Sequence, residues 1–148
     1  MKTVTVFSIS LVFLFITACT QQADSNIEAK KDLTFEVMGV HEIELKPEVN
    51  EKEFETFVID KIIPLYQKLE GQDGYLVKGD RGNRTGKYSL VITFDSTETR
   101  DRIYPDSGEL SEEFQRVYEA SESLWTKLDT YAVEGVAAKF TDYEKVAH

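Results

Sequence analysis

Cysteine, histidine and positive charge are what this sequence is short of. Of its 148 residues one is Cys, Cys19, which excludes an internal disulfide and a cysteine-based zinc cluster. Two are His, His41 and the terminal His148, so a triad of histidine metal ligands is excluded within one subunit. No metal and no organic cofactor is expected. Lys and Arg total 17 against 27 Asp and Glu, a formal charge of -10. That deficit disfavours nucleic acid, whose phosphates need cations, and it disfavours a polybasic membrane-surface segment. A serine triad is also excluded, because Ser107-Gly108 lacks the flanking residues of a nucleophile elbow and only one internal His is present. What is there is enough for a packed core: 41% apolar residues and 11% aromatics, in a length that suits one domain.

The first residues read as an address. Lys2 is followed by Thr3 to Ala18, sixteen uncharged and mostly apolar residues, fewer than the roughly 20 a spanning helix needs. The run ends in Ile16-Thr17-Ala18-Cys19, which resembles a bacterial lipoprotein signal. The resemblance implies cleavage of residues 1–18 and acylation of Cys19, hence a protein lipid-anchored in the bacterial cell envelope. Thr20 and Gln21 follow in place of Asp, which by the same resemblance permits sorting to the outer membrane if the cell has one. Residues 19–32 then form a polar tether, about 20 Å long as a coil. Residues 33–148 are the folded domain.

That domain reads as strand, helix, two strands, helices, strand. Phe35 to Lys46 alternates, with Val37, Gly39, His41 and Ile43 on one face and Glu36, Met38, Val40 and Glu42 on the other. Pro47 ends it. Asn50 with Glu53 has the spacing of a capping box. Phe54, Phe57, Val58, Ile62, Leu65 and Leu69 form a helical stripe, which Pro64 should kink and Gly71 to Gly74 should stop. Tyr75 to Gly79 and Lys87 to Phe94 read as a hairpin around a turn-rich loop. Asp95 with Glu98 is expected to open a second helix. Ser111 is expected to cap a third, with Phe114, Val117, Tyr118, Ser121, Trp125 and Leu128 on its apolar side. Tyr131 to Phe140 is expected to be the last strand.

The order βαββαβ, with an extra helix, is the ferredoxin-like α+β arrangement around a four-stranded antiparallel sheet. Its helices cover one face only, and the strands carry apolar residues on both, so a second cover is expected from a second subunit. Leu45-Lys46-Pro47 after the first strand, Ile63-Pro64-Leu65 inside the first helix and the hairpin after it resemble the dimeric α+β barrel superfamily. That group includes antibiotic-biosynthesis-type monooxygenases, EthD-like proteins and haem-degrading enzymes. The resemblance implies a homodimer of two packed sheets, with a pocket on the face away from the helices. The catalytic sets of these relatives do not carry over. His41 stands where Asn is common, and Phe94 stands where the haem-degrading pattern has Trp. No His lies within residues 95–115, and Ile62 and Ile63 replace the EthD-like His.

Few groups remain for chemistry. His41 is the one internal side chain that titrates near neutrality, a candidate acid or base with Tyr88 as its polar neighbour; the alternative is a hydrogen-bonded histidine on an apolar strand face. Lys78, Arg81, Arg84 and Lys87 put four cations in an acidic chain, and Arg81 and Arg84 are candidates for an anionic ligand or headgroup, or else a solvated turn. Glu36, Glu42 and Glu44 alternate as acid, base or cation ligands would, or as a charged rim. Phe94, Trp125, Tyr66, Tyr88, Tyr118 and Tyr131 could line a pocket for a flat ligand, or simply fill the core. Three functions are compatible with these residues: a lipid-anchored dimer that binds a small, partly hydrophobic molecule; a cofactor-independent monooxygenase; or a non-catalytic interaction module at the cell surface.

Overall fold

Residues 34–106 and 109–146 are described in the computed structural model. Cys19, the signal-like run and the tether lie outside them, as do Ser107, Gly108 and His148. Strand β1 is Val37–Ile43. Asn50 then caps helix α1, Glu51–Phe57, by accepting the Glu53 N–H on its Oδ1 at 3.1 Å, an interaction of the kind that contributes about 1 kcal/mol. The expected kink has a specific form. Val58–Ile62 is a π-helical turn in which the Ile63 N–H reaches back five residues to the Val58 carbonyl. Pro64 follows at the start of helix α2, Ile63–Tyr66. The wider turn takes up the missing proline N–H and the ring's clash with the preceding turn. Every residue of the predicted stripe, from Phe54 to Leu69, is buried.

Strand β2, Gln72–Lys78, begins three residues earlier than expected and includes Gly74. It pairs with β3, Tyr88–Phe94. The loop between them closes on Gly79, where a Cβ would lie 1.9 Å from the Arg84 carbonyl oxygen, so only glycine fits. Helix α3, Thr97–Ile103, is capped by Ser96 rather than Asp95: the Ser96 Oγ accepts the Thr99 N–H at 3.1 Å. Ser111 caps α4, Glu112–Glu119, through the Phe114 N–H. The single third helix expected from the stripe is two. Ser121 leaves helical geometry at φ -131° and ψ 17°, and α5, Glu122–Tyr131, starts after it.

The last strand is the main correction. Tyr131 stays on the helical stripe, packs its ring against Phe54 and Phe57, and ends α5 instead of opening a strand. Lys46 donates to the Asp129 and Thr130 carbonyls at 3.0 and 2.9 Å, satisfying acceptors at that helix end. Residues 132–139 form a strap across the end of β1, held by Val133 N–H to the Glu44 carbonyl and Glu42 N–H to the Lys139 carbonyl. Strand β4 is Phe140–Glu144. Apolar content drew the strand reading to 131–140, but that content serves the helix end and the strap.

The sheet is antiparallel with order β2-β3-β1-β4, the ferredoxin-like arrangement. The register sets Val37 opposite Phe94, Gly39 opposite Ile92, His41 opposite Leu90 and Ile43 opposite Tyr88. These residues share the face under the helices, where Phe54, Ile62, Leu90 and Leu128 are fully buried. The other face carries Met38, Val40, Val91, Val77 and Tyr143, the last two 44% and 52% exposed.

Candidate functional site

A cavity of about 480 Å³ lies on the helix side of the sheet, not on the far side that the resemblance implied. It is walled by β1, β3 and β4 below, by α2, α3, α4 and α5 above, and by the strap at one side. Seven aromatic side chains line it: Tyr66, Phe94, Tyr104, Phe114, Tyr118, Trp125 and Phe140. They hold one another in place. Phe94 meets Tyr104 edge-on at 5.8 Å, Tyr104 meets Phe114 at 5.1 Å, and Trp125 is edge-on to Tyr66 and stacked on Tyr118, both at 5.8 Å. Such packing fixes ring orientation and leaves flat apolar walls. The buried Trp125 Nε1–H and Gln72 Oε1 have no hydrogen-bond partner among the described residues.

The polar groups gather at one end. His41 donates from Nδ1 to the Val136 carbonyl at 3.2 Å and stacks on Phe140, with ring centres 5.2 Å apart. That bond assigns the proton to Nδ1 and leaves Nε2 as the acceptor. Burial depresses the His41 pKa, opposed by the Val136 hydrogen bond and by the Asp142 charge. Asp142 comes from β4, opposite Gly39. Arg100, from α3, holds Asp101 at 2.7 Å and lies 3.8 Å from both Asp142 and Glu144. Burial raises the Tyr104 pKa to about 12, reinforced by Asp142 and opposed by the Gln72 hydrogen bond. Burial raises that of Tyr66 further. Both phenols are therefore hydrogen-bonding groups at neutral pH, not bases.

Of the residues singled out from sequence, His41, Phe94 and Trp125 meet at this cavity, with Tyr66 and Tyr118. Tyr88 does not. It is buried two residues along β3 from the partner of His41, and its hydroxyl donates to Glu55 at 2.5 Å with Glu51 3.1 Å away. Burial and those carboxylates raise its pKa to about 12, while Lys78 opposes them. The hydroxyl anchors α1 to the sheet. Arg84 is taken up by Glu42 at 2.9 Å and the Tyr88 carbonyl at 2.7 Å. Arg81 is solvated beside Asp80, and Lys78 pairs with Glu51 at 2.5 Å. The basic hairpin is thus a separate, largely self-neutralised feature. Glu42 belongs to it, and among the described residues no cluster of three or more His, Cys, Asp or Glu is arranged to hold a metal ion.

Sequence reasoning missed Arg100, Tyr104 and Asp142. Asp142 lies on an alternating Phe140-Asp142-Glu144 run that would have marked it, had the strand been placed there. Arg100 and Tyr104 carry no local signal, since only the packing of α3 on the sheet brings them to β4.

A pH dependence follows from the depressed His41 pKa. The unfolded chain takes up its proton near pH 6.5, while the folded chain resists it. The stability that the neutral His41 contributes is therefore full above about pH 6.5 and lost as pH falls through the folded value. In an NMR titration the His41 ring should change charge below pH ~6.5, and wild type should lose thermal stability on acidification faster than His41→Gln. An unshifted midpoint would contradict the burial of this ring.

No family model and no curated protein matches the chain. Solved structures do resemble it. A candidate antibiotic biosynthesis monooxygenase from Bordetella bronchiseptica is 15% identical over 76% of this chain and 99% of that one, with a TM-score of 0.52. A conserved protein from Methanosarcina mazei Go1 is also 15% identical, over 76% and 95% of the two chains, with a TM-score of 0.46. The first likeness shows the fold: the chain has the four-stranded, ferredoxin-like α+β architecture of that monooxygenase-like protein.

Proposed function

We propose that this protein binds a small, flat, partly hydrophobic molecule between its sheet and its helices. The observation that carries the reading is the cavity of about 480 Å³ walled by seven aromatic rings. Its size falls within the range of small-molecule sites, and apolar walls with a few convergent polar groups are what such sites use. N-phenyl-1-naphthylamine, an uncharged fluorescent probe, tests it. The chain's single Trp, Trp125, lines the cavity and serves as energy donor. A saturable 1:1 rise in probe emission with loss of Trp125 emission is expected. Emission that rises without saturating would reject the cavity as a binding site.

A second reading is a cofactor-independent monooxygenase. It is favoured by His41, whose Nε2 is left as a neutral acceptor in the cavity, and by the fold shared with the Bordetella protein. In this reading Nε2 takes a proton from an activated aromatic C–H or O–H. The resulting anion reduces O₂; one oxygen atom becomes a ring carbonyl and the other leaves as water with the two hydrogens removed. Tyr104, not Tyr88, is the phenol near this end. With an anthrone or quinol under oxygen, His41→Gln should slow O₂ consumption about 100-fold. Equal rates would remove His41 from the reaction.

The chain acts, in this proposal, as an envelope lipoprotein and homodimer. Thr17-Ala18-Cys19 supports the anchor, and the open sheet face with Val77 and Tyr143 supports the pairing. Full-length protein is expected in the membrane fraction and as a dimer in detergent sedimentation. Cys19→Ser should release it. A detergent-solubilised monomer would count against the pairing, and membrane retention of Cys19→Ser against the lipid.

A further inference from the structure

We infer that the molecule held in this cavity carries a primary ammonium group, held between Asp142 and His41. The inference rests on the ligand-binding reading and specifies the polar end of the ligand. Gly39 is buried on the helix side of β1, and because it has no side chain the Asp142 carboxylate lies directly over it, next to the His41 ring. A Cβ there would lie 2.9 Å from Asp142 Oδ1, 3.5 Å from His41 Nε2 and 3.8 Å from the Ile92 carbonyl oxygen. Its three nearest neighbours are therefore all acceptors. The residues that carry them, His41, Ile92 and Asp142, line the cavity.

Two of these acceptors lack a donor. The Val136 carbonyl holds the Nδ1 proton of His41, so Nε2 offers a lone pair, and among the described residues nothing donates to it. Asp142 turns Oδ2 toward Arg100 at 3.8 Å, a distance too long for a hydrogen bond, and leaves Oδ1 over Gly39. Arg100 lines the cavity, but it is held closer to Asp101, at 2.7 Å, and shared with Glu144. Asp129 adds another carboxylate to the wall. Arg100 is thus the one cation against two carboxylates in the cavity lining, in a chain of charge -10.

Donor counting selects the ligand. A hydroxyl has one proton and can serve only one of the acceptors. A carboxylate has none and meets the Asp142 charge. A primary ammonium has three N–H groups and a positive charge, so it can serve both Asp142 Oδ1 and Nε2 and keep a further donor. The remaining wall suits the same group, since aromatic rings attract organic cations through their faces. Neutral His41 adds no competing charge.

The test compares three probes of one shape with the full-length protein by calorimetry at neutral pH: 2-naphthylmethylamine, 2-naphthylmethanol and 2-naphthoate. The amine should bind about tenfold or more tightly than the alcohol, and the carboxylate least. Asp142→Asn should remove the preference for the amine, bringing its affinity down to the level of the alcohol. Gly39→Ala, which pushes a methyl group into Asp142, should weaken the amine more than the alcohol. Equal binding of amine and alcohol, tightest binding of the carboxylate, or an undiminished preference in Asp142→Asn would overturn the ammonium assignment and leave the aromatic binding site standing. No binding of any probe would overturn both.

Discussion

A slip of one residue between Val37–Ile43 and Tyr88–Phe94 would turn either His41 and Gly39 or Leu90 and Phe94 to the other face of the sheet. The register of these two central strands therefore sets both the core and the candidate site. It is held because one face is decisively apolar once the helices arrive. Val37, Ile43, Tyr88, Leu90, Ile92 and Phe94 are all buried against them. The first helix follows from that face. Its stripe of Phe54, Phe57, Val58 and Ile62 docks there, and the π turn lets Pro64 remain in the run without losing the contact. Tyr88 then ties α1 to β3 through Glu55.

The cavity exists because the second half of the chain covers the same face less completely. α3, α4 and α5 are short, and the rings Tyr104, Phe114, Tyr118 and Trp125 pack largely on one another around the cavity, with Tyr104 also against Phe94 of the sheet. Aromatic side chains in this arrangement support one another and leave space between them. At the open end the strap and β4 bring polar groups over the least bulky position on β1. Gly39 has no Cβ, Val136 fixes the His41 tautomer, and Asp142 arrives from the strand alongside.

Local signals made most of the first half readable. The alternation of β1, the Asn50 cap, the apolar stripe and the hairpin loop each have a cause within a few residues, so period and turn chemistry find them. The second half was harder for a physical reason. Ser96 and Asp95 both suit a helix cap, and only backbone geometry chooses between them. The break at Ser121 has no Pro or Gly to mark it. Val133, Val136 and Ala137 have strand-like composition but are used as a strap, because Tyr131 is claimed by the helix that packs on Phe54 and Phe57. Of the site, the rings Phe94 and Trp125 and the imidazole of His41 were visible as residue types. Arg100, Tyr104 and Asp142 were not, since each is ordinary in its own neighbourhood.

The sequence by itself determined the α+β class, the order of the first four elements, the strand residues that share a face with His41 and the acidity of the chain. These depend on periodicity, capping and composition, which act over a few residues. Only the tertiary structure decided that the cavity lies under the helices, that Tyr88 and the basic hairpin stand apart from it, and that Asp142 meets His41 above Gly39. Those outcomes require contacts between residues about forty to a hundred positions apart, set by how β4 pairs with β1 and how α3 lies across the sheet.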